Sequence, residues 1–299
     1  MSTEGGLGTG LAKSMMPVPP DPHPDVFDVE WPLRVADVDR TGRLKFDAAT
    51  RHIQDIGSDQ LREMGGFEET HPLWIVRRTM IDMIEPIVFK DMLRLRRWCS
   101  GTSNRWCDMR VRIDGRRGGG RIESEAFWIN INRETQGPAR ISDDFIAGLQ
   151  KTTPPVNRLR WKAYLKAGAR GDATDVRAYP VRVSDIDIFD HMNNSVYWSV
   201  IEDYLVERPD LVAKPLRVTI EHDLPVALGG TSSRSSATNI RPVRPTGSAR
   251  TSPTAVLQRS HMWSATRSRP SPVSSRSESI GFNSTGVLTC GVVLLHGNF

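Results

Sequence analysis

Residues Arg34 to Asp55 read RVADVDRTGRLKFDAATRHIQD, and Arg182 to Asp203 read RVSDIDIFDHMNNSVYWSVIED. They align without a gap at an offset of 148. Identities fall at Arg34/Arg182, Val35/Val183, Asp37/Asp185, Asp39/Asp187, Ile53/Ile201 and Asp55/Asp203. A second ungapped pair follows, Arg78–Asp91 (RTMIDMIEPIVFKD) against Arg217–Gly230 (RVTIEHDLPVALGG). It shares Arg, Ile and Pro and sets Asp82 opposite Glu221. Self-similarity of this kind marks one structural unit used twice.

The first copy shows what the unit is. Across Phe46–Met64, residues Ala49, Ile53, Ile56, Gln60 and Leu61 fall near one helical face, and Gly65-Gly66 supplies a stop. Phe27–Val35, Leu73–Ile84, Met92–Cys99, Trp106–Ile113 and Ile122–Asn132 pattern as strands, with Gly118-Gly119-Gly120 as a hairpin turn. The order predicts an α+β unit, one long helix packed on a curved antiparallel sheet. In the second copy Arg182–Asp187 reads as strand and Asn193–Val206 as helix, ended by Pro209. The predicted organisation is a disordered N-terminus (1–26), a first unit (27–150), a linker (151–175) with helical character around Trp161–Lys166, a partial second unit (176–230) and a tail (231–299).

The 299 residues carry a net charge of +5, but unevenly. The last 69 hold eight arginines against one acid, Glu278, a net of +7, which leaves residues 1–230 at −2. The same segment has fifteen serines and no Lys, Asp or Tyr. A nucleic-acid tail mixes Lys with Arg and interleaves aromatic residues for stacking, so no nucleic-acid partner is expected. No apolar run reaches the roughly 18 residues of a membrane span, and no apolar leader segment follows a basic start. Cys99, Cys107 and Cys290 are too few and too scattered for a disulfide framework or zinc set, which points to a reducing cytoplasm. Cys99 and Cys107 read as buried structural thiols.

The repeat predicts a strand after Gly230, where the first copy continues MLRLRRW. The chain gives TSSRSSATNIRPVRPTGS instead. One permitted codon choice for that stretch, read two nucleotides later, encodes KLEIISHxHPAGSTD, a strand followed by a turn. A frameshifted or otherwise non-native Ser/Arg tail is the reading; the rival is a natural disordered tail.

The densest polar cluster is Asp185, Asp187, Asp190, His191, Asn193, Asn194 and Tyr197, at a helix start. Acidic and amide residues there can simply cap the helix. A histidine in the same turn adds a base for neutral pH, a carboxylate can orient it, and helix N–H groups suit an oxyanion.

The stretch DIDIFDHMNNSVYWSVIED resembles the D-x-N-x-H-x-N-N-x-x-Y-x-x-W/x-x-x-E signature of acyl-ACP thioesterases, which are double-hotdog proteins. Trp74-Ile75-Val76-Arg77-Arg78 resembles that family's W-V-V-x-R strand. Ile84-Glu85-Pro86 with Asp91, Trp98 and Arg110 resembles its P-x-x-x-D, T-W and R positions, and Trp128 to Thr135 its W-V-x-M-N-x-x-T-R segment. The resemblance, from about Phe27 to Gly230, implies a tandem hotdog with a long helix wrapped by antiparallel sheet in each half and the second half incomplete. It implies hydrolysis of a fatty acyl thioester on acyl carrier protein or coenzyme A, in fatty acid biosynthesis. No cofactor or metal is called for, and the chain would be a monomer or homodimer. By position the catalytic Asp is Asp187 and the His is His191. Asn193 and Asn194 are retained, their backbone N–H groups serving the oxyanion, and Glu221-His222 matches an E-Y segment. The family's Asn before the His is replaced by Phe189, and its later Glu and Cys by Pro225 and Val226.

Arg43, Lys45 and Phe46 stand in the first copy where His191, Asn193 and Asn194 stand in the second, so that copy lacks the base. Trp74, Met80, Met83, Met92 and Trp98 are candidates for an acyl pocket or for simple core. Arg77, Arg78, Arg94, Arg96, Arg97, Arg116 and Arg117 could receive an acidic carrier. Two alternatives stay open: a hotdog enoyl-thioester hydratase, whose D-x-N-P-x-H spacing this chain does not match, and an inactive truncated product.

Overall fold

The structure, a computed structural model, describes residues 19, 21–65, 67–153, 159–162, 175–177, 181–213 and 215–222, together with three strands beyond residue 230. Strand β1 (Phe27–Pro32) leads through a 3-10 turn (Val35–Asp37) into helix α1 (Phe46–Met64). Helix α2 (Phe67–Thr70), strands β2 (Trp74–Glu85), β3 (Met92–Thr102), β4 (Trp106–Gly115) and β5 (Arg121–Asn130) and helix α3 (Asp143–Gln150) follow. The second copy has β6 (Asp175–Arg177), a 3-10 turn (Val183–Asp185), α4 (Asn194–Val206), α5 (Pro209–Val212) and β7 (Leu216–Glu221). Three strands come from beyond Gly230: β8 (Thr238–Val243), β9 (Thr254–Leu257) and β10 (Gly291–His296).

The first copy follows its pattern closely, and the second departs in two places. Arg182–Asp187 is a turn and not a strand: the Asp185 carboxylate accepts the Arg182 N–H at 2.8 Å. Asp37 does the same for Arg34 at 3.0 Å, so the repeated aspartates are turn-closing groups whose spacing imitates alternation. Pro209 does not merely end α4. It sits in the first turn of α5, where its missing N–H costs nothing. Helix α3 is a further element, capped by Ser142 and burying Phe145 and Leu149. Trp161 and Lys162 are not helical, and residues 163–166 lie outside the described residues, as does most of 1–26 and 231–299.

The strand order is β1-β3-β4-β5-β2-β7-β10-β9-β8-β6, a palindrome about the β2/β7 seam. At that seam Met80 faces Thr219, with Arg78 opposite Glu221 and Asp82 opposite Arg217. These are the positions that the second repeat block equates, so a pseudo-twofold axis runs between Met80 and Thr219. Arg217 grips Asp82 with two hydrogen bonds of 2.5 Å, and Arg78 lies 3.8 Å from Glu221. All four side chains are buried.

Alternation along the strands divides the sheet into two faces. Ile81, Met83, Leu93, Leu95, Val111, Ile113, Ile122, Leu216, Val218 and Ile220 join Ile53, Ile56, Ile201 and Leu205 of the helices in one core. This is the hotdog arrangement for the first half. The second half is less completely closed, its strands three to six residues long against ten to twelve for β2 to β5. The opposite face carries Arg78, Asp82, Asp108, Arg110, Glu125, Arg217 and Glu221, all buried. Linker residues cross it: Trp161 lies 4.9 Å from the Phe127 ring, Leu159 accepts from Trp106 Nε1 at 3.1 Å, and Lys162 accepts from Arg78 at 2.9 Å. Of the pocket candidates, Met83 belongs to the helix-side core, and Met80 and Trp98 are buried outside that cluster. The glycine-rich hairpin wraps Asp91, whose carboxylate accepts from Arg117 and Gly118 N–H at 2.7 and 2.9 Å. Burial pushes that carboxyl up, but these donors and Met92 N–H prevail and hold it below the usual range. Gly120 has φ +93°, and a Cβ there would meet Pro86 O at 2.5 Å.

Two outcomes are expected. Arg217→Ala leaves Asp82 buried without its partner and lowers unfolding free energy by about 3–5 kcal/mol, read from urea denaturation. The second concerns Asp108, pushed up to about 8 by burial and then by the neighbouring charge of Glu125, itself raised by burial. A folded value above the unfolded one gives stability at low pH that is lost as pH rises toward 8. Asp108→Asn removes this loss, so its melting temperature relative to the native chain rises between pH 5 and pH 9.

Candidate functional site

Each copy carries the same tight turn between its 3-10 segment and its long helix. In the first, Asp39 N–H donates to Arg43 O, and Val38 bridges Leu44. In the second, Asp187 N–H donates to His191 O at 2.9 Å, and Ile186 bridges Met192. Asp190 takes φ +58°, a value asparagine and aspartate tolerate better than most residues. The turn delivers the chain to the head of α4, where Asn193 Oδ1 accepts from Ser195 N–H at 2.9 Å and Ser195 Oγ at 2.8 Å. Asn193 is thus the N-cap of the helix, and Asn194 is its first residue.

The predicted residues are placed as follows. Asp187 Oδ1 accepts from Phe189 N–H at 3.0 Å, and Oδ2 from Asn193 Nδ2 at 3.4 Å. The carboxylate therefore binds both ends of the turn that carries His191. The His191 ring is exposed, and among the described residues no hydrogen bond joins it to Asp187. Glu221 ends β7 in its ion pair with Arg78. Its neighbour His222 meets the edge of Tyr197, on the first turn of α4, at 4.9 Å and 89°. The structure thus brings Asp187, His191, Asn193 and Asn194 together on one turn and sets the Glu221-His222 strand end against the same helix.

The sister turn shows what these positions can do. Asp39 Oδ2 reaches Arg43 Nε at 3.0 Å, so a carboxylate at this position can contact the side chain four residues on. Arg43 in turn grips Glu202 of α4, at 2.6 and 3.3 Å. Glu202 Oε1 accepts the Phe46 N–H at 2.6 Å. The head of α1 is therefore filled by a carboxylate from the other copy. At the head of α4 no hydrogen bond occupies the Asn194 N–H among the described residues. Glu202 lies within the first repeat block, but nothing in its local sequence marks it as a partner of the other copy.

The surroundings differ as well. Ile188 is 92% exposed and Phe189 52% exposed, three and two residues before His191; the first copy has Arg40 and Thr41 there. The arginines proposed as a carrier-protein surface are largely engaged within the protein. Arg94 pairs with Asp21 and Asp28, Arg96 with Asp21 and Asp114, and Arg116 with Glu30. Arg77 and Arg78 lie over the Trp161 ring. Cys99 and Cys107 are buried, their thiols pushed up by burial, Cys99 to about 11. Thiols so raised are poor nucleophiles. No helix of the described residues is long and apolar enough to cross a membrane.

Comparison with known proteins gives a consistent set of likenesses. Residues 24–149 match the acyl-ACP thioesterase N-terminal domain, and residues 168–252 match the acyl-ACP thioesterase C-terminal domain. An uncharacterized protein of Mycobacterium tuberculosis is 40% identical over 204 residues, 68% of this chain and 79% of that protein. Among solved structures, an acyl-ACP thioesterase from Bacteroides thetaiotaomicron superposes with a TM-score of 0.62 at 13% identity, over 91% of this chain and 98% of that one. A 12:0-ACP thioesterase from Umbellularia californica gives 0.60 at 13% identity, over 91% and 97%. At such identities these two likenesses speak for the fold.

Proposed function

The chain belongs to the acyl-ACP thioesterase family, a hydrolase of fatty acyl thioesters, and on that premise we propose that hydrolysis takes place at the head of α4 with His191 as the base. The observation that carries this reading is the contrast between the two helix heads. Of two equivalent N–H groups, that of Phe46 is taken by a protein carboxylate, that of Asn194 has no hydrogen bond among the described residues, and the turn leading to the second carries a histidine where the first has Arg43.

The chemistry follows from that placement. His191 takes a proton from water as the water oxygen bonds to the thioester carbonyl carbon. The carbonyl oxygen becomes an oxyanion facing the Asn194 N–H at the positive end of the helix. The intermediate collapses, the C–S bond breaks, and the proton goes from His191 to the departing thiolate. The products are a fatty acid and a free thiol. Asp187 holds the turn that presents His191 and favours the imidazolium that forms. Glu221 supports the strand end beside the helix through its pair with Arg78. Ile188 and Phe189 give the mouth of the site an apolar lip suited to an acyl chain. The D-x-N-P-x-H spacing of a hydratase is absent, as are the later Glu and Cys of the plant-type site.

The substrate thioester would be carried by acyl carrier protein or coenzyme A, in cytoplasmic fatty acid synthesis. His191→Ala is expected to lower kcat for a long-chain acyl thioester by about 10²–10⁴-fold, measured by thiol release. A variant that keeps native turnover removes His191 from the mechanism, and water addition to an enoyl thioester without hydrolysis would favour the hydratase.

The tail after Gly230 is read as non-native on its loss of Lys, Asp and Tyr and the break in the repeat. Against this, the C-terminal domain match runs to residue 252. Sequencing the gene from independent isolates decides: a shifted frame restored near codon 230 is expected, and an undisturbed frame overturns it.

A further inference from the structure

Helices α1 and α4 pack against each other, and two pairs of positions mark their contact in an antiparallel register. Phe46 N–H donates to Glu202 at one end. The Phe46 and Trp198 rings stack at 5.9 Å and 18°. The offset of 148 equates Thr50 with Trp198, both buried, so a twofold between the helices would pass between these two. Positions 46, 50 and 54 form one stripe of α1, each a helical turn from the next, and 194, 198 and 202 form the matching stripe of α4. An antiparallel register that seats residue 202 at the head of α1 seats residue 54 at the head of α4. That residue is Gln54, half-buried.

The two ends then differ by two side chains that change together. At the head of α1 stand Arg43 and Glu202, oppositely charged and joined. By the same symmetry the head of α4 has His191 and Gln54 at the equivalent positions, 148 residues from Arg43 and Glu202 in the repeat. A carboxylate at position 54 would do what Glu202 does, accepting the helix N–H and pairing with the base. An amide carries no charge and brings two N–H donors. It has no negative charge with which to cap the helix N–H as Glu202 does.

Resting on the thioesterase reading above, we propose that Gln54 is the second donor to the thioester carbonyl oxygen, its Nε2–H acting beside the Asn194 N–H. The site is thus built by both copies: His191 and Asn194 come from the second, Gln54 from the first. No bond is made or broken at Gln54. It holds the oxygen whose negative charge grows as water adds, so its contribution appears in kcat more than in KM.

Two substitutions and a control test this on the full chain. Gln54→Ala should lower kcat by about 10²-fold, the cost of one oxyanion donor, with KM within about twofold. Gln54→Glu keeps the shape but rebuilds the lock of the other end. It should lower kcat further and move the titration of the His191 ring, followed by NMR, to higher pH. Glu202→Gln, at the sister position, should leave kcat unchanged. Unchanged kcat in Gln54→Ala, or an unmoved His191 titration in Gln54→Glu, overturns the proposal. A native chain that hydrolyses no acyl thioester sinks the function itself and the role of Gln54 with it. The NMR titration, which needs no turnover, separates that failure from a misplaced Gln54.

Discussion

An arginine taken out of water needs a carboxylate of matching geometry, because an unpaired buried charge is worth several kcal/mol of instability. The seam between β2 and β7 meets this demand with one short pattern used twice. Arg and an acid four positions later, repeated about a twofold axis in antiparallel strands, meet head to tail. Arg78 faces Glu221 and Asp82 faces Arg217. A slip of one residue would carry these charges to the helix side, among Ile81, Val218 and Ile220. The register of the whole molecule is therefore set at the centre of the sheet, and the antiparallel meeting of α1 with α4 follows from it.

That meeting gives the two copies different electrostatic ends. Arg43 is shared between the carboxylates of Asp39 and Glu202, and Glu202 also caps the α1 N–H. Asp187 and Asn193 brace the other turn without filling the helix head. Among the described residues, the field of the helix N-terminus meets a carboxylate at one end and none at the other. A preorganised donor is useful to a reaction only if the resting protein does not already satisfy it.

Much of this was legible in the amino-acid order. Helix α1 was visible to its ends, because its apolar stripe begins at Phe46 and Gly65 terminates it. The pairing of Asp82 with Glu221 in the repeat alignment foretold their equivalent places at the seam. Arg182–Asp187 misled because turn-closing aspartates at alternate positions look like strand patterning, and a hydrogen bond to a residue's own neighbours leaves no periodic trace. The arginines of β3 looked like a surface for a carrier because their partners, Asp21 and Asp28, are distant in sequence. Glu202 was hidden for a similar reason. Its partners, Arg43 and the Phe46 N–H, lie some 156 residues or more away and belong to the other copy.

Joining two copies in one chain has a consequence that a symmetric dimer of single units cannot share. In such a dimer one codon writes both helix heads, so any residue that fastens one also fastens the other. Here the residues at 43 and 191, and at 54 and 202, are separate genetic choices. One head is free to become a permanent clasp while its twin keeps a different set of side chains, and each can be altered by mutation without imposing the same change on the other.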